Sequence, residues 1–517
     1  VTAAADTAAD GSTAAPAAAR LPARWLILAV ICLAQLTVVL DNTVLNVAIP
    51  TLSRDLDATT ADIQWVINAY SLVQAGLLLA AGSAADRYGR KRLLLAGLAL
   101  FGVGSLAAGL AQSSGQLIAA RAGMGVGGAL LLTTTLAVAI QIFDAEERPK
   151  AIGVWAAVNA LGFAAGPPVG GLVLAHFWWG AIFLINIPVV VLALVAVRAL
   201  VPESRNLSGH RPDLLGALLS TVGMAAVVYA IISGPEHGWS SGRVLLPAAG
   251  GVLVLGAFAL WERRVPYPML DMEFFRDRRF VGAVAGVVLI TFGSGGTLYL
   301  LTQELQFVRG YAPLEAGLRI APFALTVVAL NSVGVSARLM RRLGLPLSIA
   351  VGMALLAAGF TVAALPSTDG YGVLLLGLVL MGAGCALANP AIVEAVMGAI
   401  PPEKAGAGAG VDGTMSELGT SLGVAVLGAV MNARFTALLP AAVAGAGSLP
   451  AALAAAGTDD AERGAVMDAF TSGIETSQLA GAAAVLVGGC VAALLLRRAE
   501  RPGPDAPAKA KAEAEAQ

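Results

Sequence analysis

The chain has 517 residues, 57% hydrophobic and only 13% charged. Soluble domains carry about 25% charged residues, and none of this length could hide so much apolar surface, so a polytopic membrane protein is expected. The net charge of −1 says nothing about nucleic acid, because the charges sit in separate loops, and no nucleic-acid partner is expected. Cys32, Cys385 and Cys490 lie in apolar segments, and His176, His210 and His237 stand near segment ends. Neither a disulfide framework nor a metal site is expected, and no cofactor. Residues 1–20 are polar and rich in Ala and Thr, with no short apolar core and cleavage site after them. The first apolar segment should therefore stay as an anchor, and the tails 1–24 and 497–517 should be disordered.

Apolar stretches of about 20 residues, the length that crosses a bilayer, fall near 25–48, 62–84, 92–112, 116–139, 150–174, 181–200, 213–232, 244–262, 280–301, 315–336, 346–365, 371–397, 409–431 and 477–496. That makes fourteen spans. With the N-terminus in the cytoplasm, the inside segments hold 25 Lys and Arg and the outside loops five. Basic residues favour the cytoplasmic side, so both termini are expected there. The outer loop 432–476 reads as a plain long loop or as one or two helices lying on the surface. The cytoplasmic stretch from Arg263 to Arg279, with Phe274 and Phe275 among arginines, suits an interfacial helix.

The first span holds Asp41 within Leu40–Pro50. An ionisable group there costs roughly 2.5–3.5 kcal/mol on insertion scales, and a helix that keeps one usually faces a cavity or an ion path. Snorkelling to the outer interface is the alternative. About seven more residues of span lie beyond Asp41, roughly 10 Å at the helical rise, which disfavours it. In the fourth span Arg121 lies at nearly the same depth, ahead of the glycine-rich run Gly123–Gly128. An arginine beside an aspartate stabilises the carboxylate, and withdrawing it favours protonation. The pair is therefore either a proton switch or a static structural ion pair.

The second span ends in Gly82-Ser-Ala-Ala-Asp86-Arg87-Tyr-Gly89-Arg90-Lys91-Arg92. The glycines allow a tight turn and close helix approach. Asp86 among these cations could lock two helix bundles together on one side; plain anchoring by positive charge is the alternative. This run resembles the loop signature of the major facilitator superfamily. A weaker echo, Gly334 to Gly344, keeps the glycine and the basic residues but has no acid. The resemblance implies an all-α major facilitator fold with two six-helix bundles, 25–200 and 280–496, and an extra transmembrane hairpin within 201–279. It also implies that the first and fourth spans line a central cavity.

The fifth span carries Gly162, Gly166, Pro167, Pro168, Gly170 and Gly171. This run resembles the antiporter signature of exporters, with Pro168 as a departure; a kink at a packing face is the alternative. Fourteen spans, the Leu40–Pro50 pattern, Phe183–Pro188 and Gly310–Gly317 together resemble the fourteen-helix drug:proton antiporter branch. In the thirteenth span, Glu417 near mid-membrane and Asp412 five residues earlier are further candidates for proton coupling. Glu304 and Glu394, nearer span ends, read as interfacial. Asn46, Asn68, Gln74, Asn159, Gln303, Asn331 and Asn389 are candidates for cavity hydrogen bonds, with helix–helix packing as the alternative for each.

The expected function is proton-coupled export of small amphipathic, cationic or neutral, molecules from a cell membrane by a monomer, with protons and the lipid bilayer as its other partners. An uptake symporter is disfavoured by the Gly166-Pro167 run, and a membrane sensor by acids inside several spans. No phosphate-binding loop for ATP-driven pumping is found, and no enzyme activity is expected. The Ala-, Gly- and Arg-rich composition resembles GC-rich actinobacteria, where self-resistance to an antibiotic is a natural role.

Overall fold

The structure is a computed structural model, and it describes residues 24–144, 146–204, 212–365, 371–400 and 405–500. Most of both tails lies outside the described residues. The described chain is helical throughout. In order it forms α1 (Arg24–Asp55), α2 (Thr60–Tyr88), α3 (Arg90–Gly109), α4 (Ser114–Ile142), α5 (Arg148–His176), α6 (Ala181–Leu184), α7 (Asn186–Leu200), α8 (Leu214–His237) and α9 (Gly242–Glu262). There follow α10 (Arg278–Gln303), α11 (Pro313–Ser332), α12 (Val335–Leu343), α13 (Leu345–Ala363), α14 (Gly372–Gly398), α15 (Ala405–Leu438), α16 (Leu449–Ala455) and α17 (Asp460–Glu500). Fourteen helical runs are long and apolar enough to cross a membrane, with α6 and α7 joined as one.

Local chemistry sets the helix ends. Thr59 caps α2 in a reciprocal box: its hydroxyl accepts from Asp62 N at 3.1 Å, and the Asp62 carboxylate accepts from Thr59 N at 3.0 Å. Gly89 separates α2 from α3 with φ +113°, a backbone state that side chains rarely tolerate. Pro313 opens α11 at its first turn, where a missing N–H costs nothing.

Helices α1 to α7 pack on one another, and so do α10 to α17. Two seams join the groups, α5 against α11 and α2 against α15. The α8–α9 hairpin stands outside both groups, and its first helix covers the second seam. Met224, Val228 and Ile232 of α8 share an apolar cluster with Leu72 and Ala75 of α2 and Ala425 of α15. At Gly76 the α8 residue Thr221 occupies the space a β-carbon would need, so α8 rests directly on the α2 backbone. Most of α9 is exposed, as a lipid-facing helix should be.

Two sequence expectations change. The 432–476 loop shrinks to 439–459, because α15 runs on to Leu438 and α17 begins at Asp460. What remains is a 3-10 turn, Ala441–Val443, and α16, whose Leu449 and Ala452 are buried. The Arg263–Arg279 stretch holds a 3-10 turn, Met272–Arg276, rather than an interfacial α-helix. Its Phe274 and Phe275 stack on Phe280 at 5.5 and 5.1 Å, which folds the stretch back onto α10.

Candidate functional site

Asp41 is 3% exposed and Arg121 1%, and the two form a direct ion pair between α1 and α4. The second carboxylate oxygen of Asp41 accepts from Asn186 Nδ2 of α7 at 3.1 Å, and the same nitrogen donates to Ser105 Oγ of α3 at 3.2 Å. Arg121 also donates from Nε to the Val66 carbonyl at 3.2 Å and from Nη2 to Asn42 Oδ1 at 3.4 Å. Its guanidinium lies 4.3 Å from the centre of the Tyr70 ring. Every ionic group in this cluster has several partners, the condition under which a buried ion pair can persist. A narrow, mostly apolar crevice between α1, α5 and the α6–α7 run ends on Asp41 and Asn186.

The glycines of α4 permit this arrangement. A β-carbon at Gly125 would come 2.6 Å from the Tyr70 carbonyl, and one at Gly128 2.5 Å from the Tyr70 hydroxyl. Close approach of α4 to α2 thus brings Tyr70 under the guanidinium. Across the α2–α15 seam, Glu417 is half-buried beside Ser71 and near enough to Arg121 and Tyr70 to interact with both electrostatically. Acids from the two groups therefore share one arginine's neighbourhood. Asp412 is half-buried one and a half turns earlier on α15, where Gly410 and Gly413 meet Leu79 and Leu78 of α2.

In the 82–92 run, Asp86 Oδ1 accepts from Arg90 Nε at 3.1 Å and Nη2 at 2.8 Å. Arg90 Nη1 reaches Gln141 of α4 at 3.1 Å, and Lys91 Nζ donates to the Arg198 carbonyl of α7 at 2.8 Å. Among the described residues these contacts of Asp86, Arg90 and Lys91 stay within α1–α7. A β-carbon on Gly82 would only just touch Thr133 of α4, at 4.0 Å. Arg87 rests near the Tyr88 ring at 6.0 Å.

On α5, Gly162, Gly166 and Gly170 face α1, where Thr43 fills the space beside Gly166. Gly171 and Pro167 instead face α11. A β-carbon on Gly171 would strike Pro313 and Leu314, and one on Gly317 would strike the Pro167 carbonyl. The run is thus a three-helix contact that closes one end of the seam, supported by Phe163 against Phe323 at 5.9 Å.

The amide candidates divide. Asn389 is exposed midway along α14, and Asn331 is exposed at the end of α11. Asn46 donates to its own helix, to the Asn42 carbonyl at 3.0 Å. Asn68 and Gln74 are fully buried in α2, with both polar atoms of Asn68 unpartnered among the described residues. Gln303 is buried and donates to the Tyr299 carbonyl at 3.4 Å. Asn159 accepts from Gln35 at 2.9 Å, and Thr135 and Trp155 extend that polar chain across α1, α4 and α5. Glu394 is exposed, and Glu304, near the outer end of the α10 run, is buried against protein. Asn186, Tyr70, Gln35, Thr135 and Trp155 were not singled out from sequence. Asn186 did carry a signal, a lone amide opening the very apolar sixth span.

Residues 31–424 match the Major Facilitator Superfamily. The chain belongs to this superfamily. As a member it is similar to the multidrug resistance protein Stp of Mycobacterium tuberculosis, 37% identical over 77% of this chain and 74% of the relative. It is likewise similar to the methyl viologen resistance protein SmvA of Salmonella typhimurium, 36% identical over 80% of this chain and 84% of the relative. Among solved structures, an inward-facing, occupied bacterial homologue of the human lysosomal transporter Spinster matches with TM-score 0.62 and 18% identity, covering 93% of this chain and 99% of that one. The superfamily comprises transporters, not enzymes, and the fourteen spans accord with its multidrug resistance exporters.

Proposed function

We propose that this transporter exports small drug-like molecules across a cell membrane in exchange for protons, with residues 25–200 and 280–496 as two bodies that rock about a central site. The observation that carries the reading is the buried Asp41–Arg121 pair, with Glu417 of the other group beside it. A charge cluster that spans the moving seam can bind or release a proton as the seam opens. Methyl viologen, a cation, appears in the name of one relative, and a neighbouring carboxylate suits cations.

The end bearing the loops 56–59, 309–312 and 439–459 is the outer end in the orientation that the basic residues favour. There the groups are tied together. Gln306 donates to the Val47 carbonyl at 2.8 Å, and Thr60 N to the Gly447 carbonyl at 3.0 Å. Tied outer ends suit a transporter that receives its substrate from inside.

The direct test is drug-induced proton release from purified protein, with methyl viologen as the probe, beside uptake into inverted vesicles carrying a pH gradient. Proton release that saturates with drug is the expected result. Uptake without any proton release would assign the chain to another coupling. Asp86→Asn should lower transport several-fold without lowering expression, because its bonds to Arg90 shape the turn before α3. Gly89→Leu should do more harm, since a positive φ costs a bulky residue about 1–3 kcal/mol. Wild-type transport rates in Asp86→Asn would remove the acid from the mechanism.

A further inference from the structure

The outer end of α10 differs from the other helix ends described. Instead of stopping, the helix widens into one π-helical turn, Glu304–Val308. Such turns are rare and collect at functional sites. This one carries two kinds of polar contact.

Toward α17, Glu304 is 8% exposed. Its Oε1 accepts from Arg309 Nε at 3.2 Å and Nη2 at 2.9 Å, and its Oε2 accepts from Gln478 Nε2 at 3.1 Å. Toward the other group of helices, Gln306 donates to the Val47 carbonyl of α1 at 2.8 Å. Directly after the turn, Gly310 takes φ +69° and the chain enters α11, whose Pro313, Leu314 and Gly317 lie against Gly171 and Pro167 of α5. A five-residue turn therefore joins an ion pair inside one group to the contacts that hold both groups together at the outer end.

The charged neighbours of Glu304 are few. Arg309 is on its own turn, and half-buried Glu475 faces it from α17. Glu315 of α11 is held by Arg319 at 2.9 Å, and Arg54 of α1 donates to the Pro50 carbonyl at 3.1 Å. Among the described residues the carboxylate thus sees one cation, one acid and one amide.

We propose that Glu304 is a proton-responsive latch on the outer gate: a proton taken up from outside frees the π-turn, and with it the Gln306–Val47 and α11–α5 contacts, so that the outer mouth opens. The chemistry is an O–H bond formed on the carboxylate with a proton from the outer aqueous phase. The neutral acid then presents a donor where Arg309 and the Gln478 amide nitrogen also donate, and two donors cannot bond. An acceptor is already present, because Gln478 Oε1 is buried without a partner. Turning the Gln478 amide over would place that oxygen on the new O–H, and the neutral acid would no longer offer Arg309 a negative charge. The proposal rests on the proton-exchange reading above, but it assigns gating to a site separate from Asp41 and Glu417.

The test is the distance between spin labels on Asp57 and Ala465, both exposed at the outer end, in full-length protein without native cysteines. In the parent, acid should lengthen the distance. Glu304→Gln should hold the longer distance at neutral and acid pH alike, and Gln306→Leu should lengthen it at neutral pH. A neutral-pH distance and an acid response like the parent's in Glu304→Gln would overturn the proposal. So would a parent that ignores acid, and drug-induced proton release in the same preparation would show that coupled export survives that failure. If Glu304→Gln does not fold, Gln478→Met removes the waiting acceptor and should weaken the acid response; an unchanged response there also overturns the latch.

Discussion

Asp41→Asn and Arg121→Gln should each abolish proton-coupled export and lower stability, while the double variant should recover stability and not export. Each single change leaves one charge in a site that excludes water, and breaking a buried pair in this way typically costs about 3–5 kcal/mol. The amide introduced by Asp41→Asn would keep a hydrogen bond with Asn186, but Arg121 would lose its direct ion pair and keep Val66, Asn42, the Tyr70 ring and the more distant Glu417. Removing both charges removes the penalty, and the two neutral amides can hydrogen-bond to each other. Thermal unfolding in lipid nanodiscs reads the first effect and vesicle transport the second. The double variant decides between the readings that the sequence left open. If it regains export along with stability, the pair is a static strut and the proton is carried elsewhere, with Asp412 next to be tested after Glu417.

The depth of the pair was legible because depth is a count of residues multiplied by a fixed rise. Asp41 and Arg121 each stand well inside an apolar run, so their similar height followed directly. Their partners were not legible. Asn186 reaches Asp41 from a helix remote in sequence, and Tyr70 lies under Arg121 because Gly125 and Gly128 let α4 approach α2. Such contacts depend on which faces of the helices meet, and with the spanning helices apolar nearly all round there is little amphipathic pattern to say so.

Glu304 illustrates a second gap. Counting from the span end placed it near the outer end, but could not show that α10 continues as a π-turn or that α17 covers the acid. The outer end of α17 was lost for a related reason. Hydropathy marks where a helix leaves the bilayer, not where it ends. Residues 460–476, with Asp460, Glu462 and Asp468, continue the helix as a polar extension. The glycine and proline run of α5 was legible as a motif, yet which helix each residue faced was not. Gly166 meets α1 and Gly171 meets α11, although only five residues separate them.

That second contact supports the other large prediction, that Gly317→Val disables export while Gly153→Ala does not. A β-carbon on Gly317 would overlap the Pro167 carbonyl, a backbone atom that no side-chain rotation can move aside. At Gly153, on the same α5, a β-carbon meets nothing within 4 Å. Overpacking of this kind costs about 1–3 kcal/mol, and at roughly 1.4 kcal/mol per factor of ten it would move the outer-closed state five- to a hundred-fold toward opening. The strain falls on a contact between the groups, so folding within each group should be spared and the closed outer end disfavoured. Gly317→Val should therefore fold, fail to take up drug from the inner side, and show a longer Asp57–Ala465 label distance at neutral pH, with Gly153→Ala like the parent in all three. Normal export by Gly317→Val would mean that the α5–α11 contact can relax without consequence, and closure of the outer end would then rest on Gln306 and on the α2–α15 side, where Thr60 bonds Gly447 and Gln64 bonds Val424.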